Sequence, residues 1–372
     1  MQDFDVIIIG SSPLSLLEAA LIKRTGKSVC VIDRNDRLGG AWLTEDAMTL
    51  QNIETTPHLF VPEPAAYDAL DQMLDGQFQE LPQQPQLFVS RTSFPFKKSL
   101  VPMSQRFRVV IAMFFAEHID NKKKPLHKRI FKGSKFLYRQ IWRNKLFVNY
   151  GQAKYPRHGL SKWFDRIVLK FEREQIALKL QTRVTSIELK GQKCRVCIVD
   201  GTFLFADRVI LSRHSDVNFY INGRALELPQ PKPRFSNHLT FVVKNAKPMP
   251  FVHAIGDSNI MLFNDITDTA EQLGQVFPNC RLITMRTNAT DEPTKADPEA
   301  SFQELKLLGL LSKDAEVLSH HERQICTSTL SRQSIQTVLS EFSGYVDFLL
   351  TDDLGIMSSI SNRYSELKLK GA

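Results

Sequence analysis

The pattern of apolar and polar positions opens on residues 6–9, Val-Ile-Ile-Ile, a continuous β-branched run of the kind that fills a central parallel strand buried on both faces. Gly10 ends the run. Ser12 is placed as a helix N-cap and Pro13 as a first helical residue, and residues 14–25 repeat apolar positions at helical spacing up to Gly26. Residues 28–32 supply a second strand. The same reading predicts helices over 67–74 and 160–174 and strands over 176–180, 182–188, 194–200 and 206–211. After Asp216 the pattern changes to short strands at 238–243, 251–255, 260–263 and 280–287, with a turn at Gly256 to Asn259, then helices at 301–311 and 329–342 and a closing strand and helix after Val346.

The first strand, turn, helix and second strand make a unit suited to a dinucleotide, because Asp33 closes the second strand twenty-three residues after Gly10, near the spacing at which an acidic side chain takes ribose hydroxyls. The glycine fingerprint of such turns is eroded. Gly10-Ser11-Ser12-Pro13-Leu14-Ser15 keeps the first glycine and puts Ser12 and Ser15 where the second and third usually stand. A serine at the second position either pushes a pyrophosphate outward with its Cβ or bonds it with its hydroxyl.

Composition adds a class and a compartment. At 372 residues, 42% apolar and 24% charged, the chain can bury a large core as two domains or one elaborated domain. No apolar run reaches the ~18 residues of a spanning helix, and the N-terminus enters the first strand without a leader pattern, which gives the expectation of a cytoplasmic protein. Five scattered cysteines fit reduced thiols, and Cys194-Arg-Val-Cys197 reads as strand packing rather than a metal or redox pair. His320 and His321 are adjacent and point apart in regular structure, so no metal site is expected. The net charge of +8 is local. Residues 97–145 hold fourteen basic residues against two acidic ones, a net of +12 that leaves −4 for the rest, and Phe107, Phe114, Phe115, Phe131, Phe136, Tyr138 and Trp142 are interleaved with them. An anionic membrane surface or a small anionic substrate suits that segment, as does a solvated helical face over core aromatics. Nucleic acid comes last because no binding signature accompanies it.

Beyond Asp33 the sequence Arg34-Asn-Asp-Arg-Leu-Gly39-Gly40-Ala41-Trp42 resembles the acidic, basic, Gly-Gly-x segment of FAD enzymes of the flavin amine oxidase and UDP-galactopyranose mutase type. Further along, 154–163 is similar to their Tyr-Pro-x-Gly-Gly re-entry segment with His158 in place of the first glycine, and Thr182-Arg-Val184 to their adenine-contacting segment. The C-terminal Thr351-Asp352 is similar to their Gly-Asp ahead of a helix facing the flavin. The resemblance implies FAD as cofactor. It places Gly10, Ser11, Ser12, Pro13, Leu14, Asp33, Arg34, Gly39, Gly40, Ala41 and Trp42 along the adenosine, diphosphate and ribityl chain, His58 beside the flavin ring, the Val184 backbone on the adenine, and Asp352 and Met357 at the pyrimidine end. It also implies an α/β fold: a Rossmann-like FAD/NAD(P)-binding domain with a mixed parallel sheet (1–65, 150–215, 340–372), an interleaved substrate domain with an antiparallel sheet (216–339) and a basic helical insert (66–149). The function expected from it is a flavin-dependent oxidoreductase or mutase-like isomerase acting on a small anionic substrate such as a nucleotide sugar. The rival, for which the lost glycines argue, is a non-catalytic binding or chaperone descendant of the fold. No residue of the sequence names itself as a catalytic base.

Overall fold

The computed structural model describes residues 3–42, 44–54, 58, 60, 63–81, 85–89, 92–95, 153–212, 216–231, 233–255, 260–270, 272–287, 290–349 and 356–370. In chain order, β1 (Asp3–Ile9), α1 (Pro13–Lys23) and β2 (Val29–Ile32) form the predicted opening unit. A hairpin of β3 (Thr44–Ala47) and β4 (Leu50–Glu54) follows, then α2 (Pro64–Leu74) and the short strands β5 (Phe78–Glu80), β6 (Gln86–Val89) and β7 (Thr92–Pro95). The chain returns at β8 (Lys154–Pro156), α3 (Gly159–Arg173) and β9 (Ala177–Lys179), winds through β10 (Val184–Lys190), β11 (Lys193–Ile198) and β12 (Phe203–Ser212), and adds β13 (Asn218–Ile221) and β14 (Arg224–Ala225). Next come β15 (Pro233–Lys244), β16 (Val252–Ile255), β17 (Ile260–Asp265), α4 (Leu273–Val276), β18 (Cys280–Thr287), α5 (Pro298–Leu307) and β19 (Glu316–Ser328). The last elements are α6 (Arg332–Glu341), β20 (Val346–Leu349) and α7 (Ile356–Lys370).

The β-branched run behaves as its composition requires. β1 lies between β2 and β12, parallel to both, and Ile7 and Ile8 are fully buried. Burial of each such side chain stabilises by about 1.5–3 kcal/mol. The first sheet runs β14-β13-β10-β11-β12-β1-β2-β9, with β20 alongside the second half of β12. Its β9-β2-β1-β12-β20 portion is parallel, in the strand order of a dinucleotide-binding fold. α1, α2, α3 and α7 pack on one face of it around Leu16, Leu17, Leu70, Trp163 and Ile360. The other face is covered by α6 and the antiparallel strands.

The second sheet runs β19-β15-β18-β17-β16-β6-β7 and is mostly antiparallel. Leu239, Phe241 and Val243 on one side of β15 pack with Phe302 and Leu305 of α5. Val242 and Leu282 on the opposite side pack with Leu50 and Ile53 of the β3–β4 hairpin, which joins the two halves.

The expected domain boundaries shift in three places. β13 and β14 extend the first sheet and α6 packs against it, although 216–339 was assigned to the substrate half. α2 packs on α1 and α7 instead of belonging to an insert. β6 and β7 join the second sheet through β16. The basic stretch 97–145, the turn at 256–259 and Asp352 lie outside the described residues. Among those described, no helix is long and apolar enough to cross a membrane.

Candidate functional site

The turn after β1 is closed by a clasp. Gly10 donates its N–H to the Ile32 carbonyl (2.8 Å), and Ser11 donates both its N–H (2.8 Å) and its hydroxyl (2.6 Å) to Oδ2 of Asp33. The N–H of Asn35 donates to Oδ1 (2.9 Å). Asp33 is 5% exposed. A carboxylate offers about four lone-pair sites, and three are taken by the protein itself. The expectation that Asp33 receives both ribose hydroxyls therefore meets a group turned inward, with one site left on Oδ1.

Ser12 is the N-cap of α1. Its Oγ accepts the N–H of Ser15 (3.3 Å) and pairs with the Ser15 hydroxyl (2.9 Å), while Pro13 occupies the first turn. The hydroxyl is thus committed within the helix. The N–H groups of Ser12 and Leu14 have no partner among the described residues. Open N–H groups on a helix N-terminus at the end of a buried parallel strand form a cradle for phosphate oxygens. The turn fits a diphosphate through these donors and fits a ribose only through one lone pair of Asp33.

The Gly39-Gly40 segment lies against this cradle. Gly39 donates its N–H to the Ser11 carbonyl (3.0 Å) and to Ser11 Oγ (3.1 Å). A Cβ on Gly39 would stand 2.8 Å from the Phe164 ring and from the Trp42 carbonyl, and one on Gly40 would stand 3.2 Å from the Ser12 nitrogen, with positive φ at both. At Gly39 only glycine allows this approach, and at Gly40 any larger residue would press on the turn. Ala41 is exposed and Trp42 half-buried. Arg34, expected along the diphosphate, is exposed and sits 3.7 Å from Asp216, which Arg183 also reaches at 3.1 Å. Residues 181–184 run beside Asp33, since Gln181 and Thr182 donate to the Asn35 and Asp33 carbonyls. That brings Val184 to the Asp33 end of the turn, its side chain buried in the core. Met357 is fully buried among the helices around α1, so its side chain is core.

His58 stacks on Trp42 with ring centroids 4.4 Å apart and an interplanar angle of 11°. The ring as a whole is half-buried, but Nε2 is closed off from water and has no partner among the described residues. Burial, with the nearby charges of His238 and Arg286 acting in the same direction, pushes His58 down to about 3 and keeps it neutral.

Those two neighbours belong to the second sheet, whose polar face looks toward the β3–β4 hairpin. Cross-strand register sets Arg323, His238 and Arg286 abreast, and His321, Thr240 and Thr284 in the next row. His321 (2.8 Å) and Arg323 (3.0 Å) both bond Glu45 of β3. His320 lies on the opposite face, near Phe241, as adjacent strand residues must. Burial lowers the pKa of Arg286, helped by Arg234.

A second buried acid sits under the hairpin. Glu54 of β4 accepts the N–H of Leu160 (3.1 Å) at the N-terminus of α3 and the hydroxyl of Tyr155. Burial pushes its carboxyl up to about 7 against these two bonds, and burial together with Glu54 raises Tyr155 well above the usual phenol range. A cavity of about 530 Å³ between β5, β8 and the ends of β17 and β18 is lined by Arg157, Asp265 and Arg281 and does not touch the phosphate turn or His58.

The structure brings Gly10, Ser11, Ser12, Asp33, Gly39, Gly40 and residues 182–184 together at one end of the sheet. Sequence reasoning missed Glu54, His238 and Arg286. Their signal was alternation: Ser236, His238 and Thr240 against Leu239 and Phe241, and Thr284 and Arg286 against Ile283 and Met285. That pattern reads as a wet face, whereas here it is covered by the other domain.

The family profile for an NAD(P)-binding Rossmann-like domain matches residues 8–75. Among solved structures the chain is similar to cyclohexylamine oxidase from Brevibacterium oxydans, with a TM-score of 0.64, 14% identity and 99% of each chain covered. It is similar to putrescine oxidase bound to putrescine (TM-score 0.63, 13% identity, 99% of each chain). A fatty acid isomerase from P. acnes that produces CLA shares the fold at a TM-score of 0.60 and 12% identity, over 99% of this chain and 98% of that one. No curated protein matches the chain. The fold is thus that of a Rossmann-like domain with an added antiparallel sheet, shared over the whole length with these oxidases.

Proposed function

We propose that the protein is an FAD-dependent oxidoreductase. The observation that carries this reading is the pair of open N–H groups, on Ser12 and Leu14, at the N-terminus of α1 in a chain that shares its full-length fold with amine oxidases. FAD, when bound, supplies a two-electron acceptor. The chain's own residues supply binding and position. The N-terminal end of α1 stabilises the negative charge of the diphosphate. The clasp from Asp33 through Ser11 to Gly39 fixes the turn so that the N–H groups are already aimed when the cofactor arrives, and the remaining lone pair of Asp33 serves one ribose hydroxyl. The backbone at Val184 is the surface for the adenine. Trp42 and neutral His58 wall the flavin end without adding charge.

Nucleotide-sugar isomerisation rests on short motifs alone; the fold is shared by two oxidases and by an isomerase, and the oxidases' slightly higher TM-scores put oxidation first. The second reading, a binding protein descended from the fold, draws on the inward-turned Asp33. The purified protein separates them. The first reading expects a yellow protein, or a colourless one that takes up added FAD at one site by calorimetry, with bleaching under anaerobic conditions by a substrate from an amine and amino-acid panel. A colourless protein with no affinity for added FAD would overturn it.

A further inference from the structure

The hairpin that joins the two halves is built against the grain of its sequence. β3 and β4 are connected by the two-residue turn Met48-Thr49, with φ of 53° and 62°. Positive φ at both central residues is the type I′ arrangement, which glycine and asparagine favour and a β-branched threonine resists. Asn52, with φ of 56°, stands where the register shifts and Gln51 and Asn52 of β4 together face Asp46 of β3. Left-handed residues other than glycine cost stability, and they persist only where their surroundings hold them.

Each end of the hairpin is held by a different half. At the tip, Ala47 and Met48 pack on Val242, Leu273 and Leu282, and the N–H of Gln51 donates to Oε1 of Gln272 (3.3 Å), whose Nε2 donates back to the Gln51 side chain (3.1 Å). Glu45 carries the ion pairs to His321 and Arg323 of β19. At the bulge, both Nη groups of Arg37 donate to Asp46 (3.1 Å each) and Nη1 also donates to the Asn52 side chain (2.7 Å), while the Asn52 N–H donates to Asp46 (2.9 Å). Arg37 stands just before Gly39, whose N–H is clasped by Ser11 at the turn after β1. A continuous run of bonds thus leads from that turn through Arg37 and the bulge to the second sheet. Thr49 is exposed, so packing of its own side chain does not hold it in place.

We propose that the β3–β4 hairpin is a strained latch between the two halves: docking of the tip on the second sheet holds the turn left-handed, Arg37 holds the bulge to the Gly39-Gly40 segment, and the two ends are coupled through the turn. Loosening one end lets the turn relax and loosens the other. A nucleotide at the turn after β1 then tightens the second sheet against the hairpin. That last step rests on the cofactor reading above and the latch does not, so the two fail separately.

Hydrogen exchange on the full chain reads the coupling. Without ligand, Arg37→Ala should speed exchange by about tenfold at the tip and in β19 around Arg323 as well as at the bulge, and Gln272→Ala should do so at the Gly39-Gly40 segment, because coupling is reciprocal. β10 and β11, in the far part of the first sheet, are the unchanged reference. Thr49→Gly should melt above Thr49→Ala, since only glycine relieves the positive φ, and in the Thr49→Gly background the effect of Gln272→Ala on the Gly39-Gly40 segment should shrink. Added FAD should slow exchange at the tip of the wild type, and in Arg37→Ala only at the turn after β1. The latch is overturned if each substitution speeds exchange at its own end alone, if β10 and β11 exchange faster too, or if Thr49→Ala melts as high as Thr49→Gly. FAD that binds without slowing the tip overturns the link to the cofactor. A protein that takes up no FAD, with the ligand-free results as expected, sustains the latch and sinks the cofactor reading.

Discussion

Glu54→Gln tests the buried acid under the β3–β4 hairpin. The carboxyl is 2% exposed and its pKa is raised by burial from 4.5 to about 7, so the folded state holds a proton there that the unfolded chain has released. Between those two values the native state binds more protons, and stability falls as pH rises. A shift of this size corresponds to about 3 kcal/mol, present in full below 4.5 and lost above 7. Glutamine reproduces the protonated form: its carbonyl accepts the Leu160 N–H and its amide donates to the Tyr155 oxygen. His58 acts in the opposite sense. Its folded value near 3 lies below its ordinary 6.5, so it contributes stability that is present above 6.5 and lost as pH falls toward 3. From 4.5 to 6.5 the two slopes oppose each other in the wild type, and the variant keeps only the His58 slope. The Tm of Glu54→Gln relative to the wild type should therefore climb by roughly 4 °C between pH 4.5 and 7.5 for a chain of this length. Differential scanning calorimetry at matched flavin content measures it. Parallel curves for the two proteins would show that Glu54 ionises normally in the fold, and the burial argument would be wrong.

Asp33→Ala strands the buried N–H of Ser11 and the part-buried N–H of Asn35, at about 1–3 kcal/mol each, so both Tm and flavin retention should drop; Ser11→Ala, which removes the hydroxyl's bonds to Asp33 and Gly39 but keeps the Ser11 N–H on Asp33, should cost about 1–2 kcal/mol and leave the fold intact. If Asp33→Ala keeps its Tm and loses only FAD affinity, the carboxylate serves ribose rather than its own turn. Arg363→Ala should destabilise by about 3–5 kcal/mol, because Glu18 of α1 is fully buried and takes both ends of that guanidinium. The double variant Glu18→Gln with Arg363→Met should recover most of this in urea unfolding, and an additive double variant would refute the coupling.

The parallel half of the fold was legible because its signals are local. Four consecutive β-branched residues, an N-cap, a proline and a terminal glycine specify β1 and α1 without reference to anything distant, and the observed α1, Pro13–Lys23, falls within two residues of the expected helix. The Gly39-Gly40 pair was legible through its resemblance to the Gly-Gly segment of FAD enzymes, and the structure adds a physical reason in the positive φ at both and the close approach of Gly40 to Ser12. What escaped depends on partners far along the chain. β19 carries Glu322, Arg323 and Gln324 through a thirteen-residue strand, a run that local propensity disfavours and that Glu45, nearly three hundred residues earlier, holds in register. The inward face of β15 and β18 escaped in the same way, because alternation shows which residues share a face and not what covers it.

In the turn after β1 the local reading and the observed bonding fall on different serines. Sequence reasoning identified the two serines standing at glycine positions, Ser12 and Ser15, and asked whether Ser12 obstructs or bonds a phosphate. In the structure those two hydroxyls bond each other and cap the helix. The serine that decides the turn is Ser11, at the position the fingerprint leaves variable, because its hydroxyl links the acidic end of β2 to the Gly-Gly segment. With Asp33 used in this way, the proposed FAD site offers a ribose one lone pair, and on that proposal affinity for the cofactor falls mainly on the helix N-terminus. It follows that weakening α1 should release the cofactor more readily than altering the adenosine end. Arg363→Ala, which acts on α1 through Glu18 and bonds none of the residues of the proposed cofactor site, should lower flavin retention more than Arg34→Ala, whose side chain is exposed beside Asp216. Equal retention in the two variants would return the binding energy to the ribose.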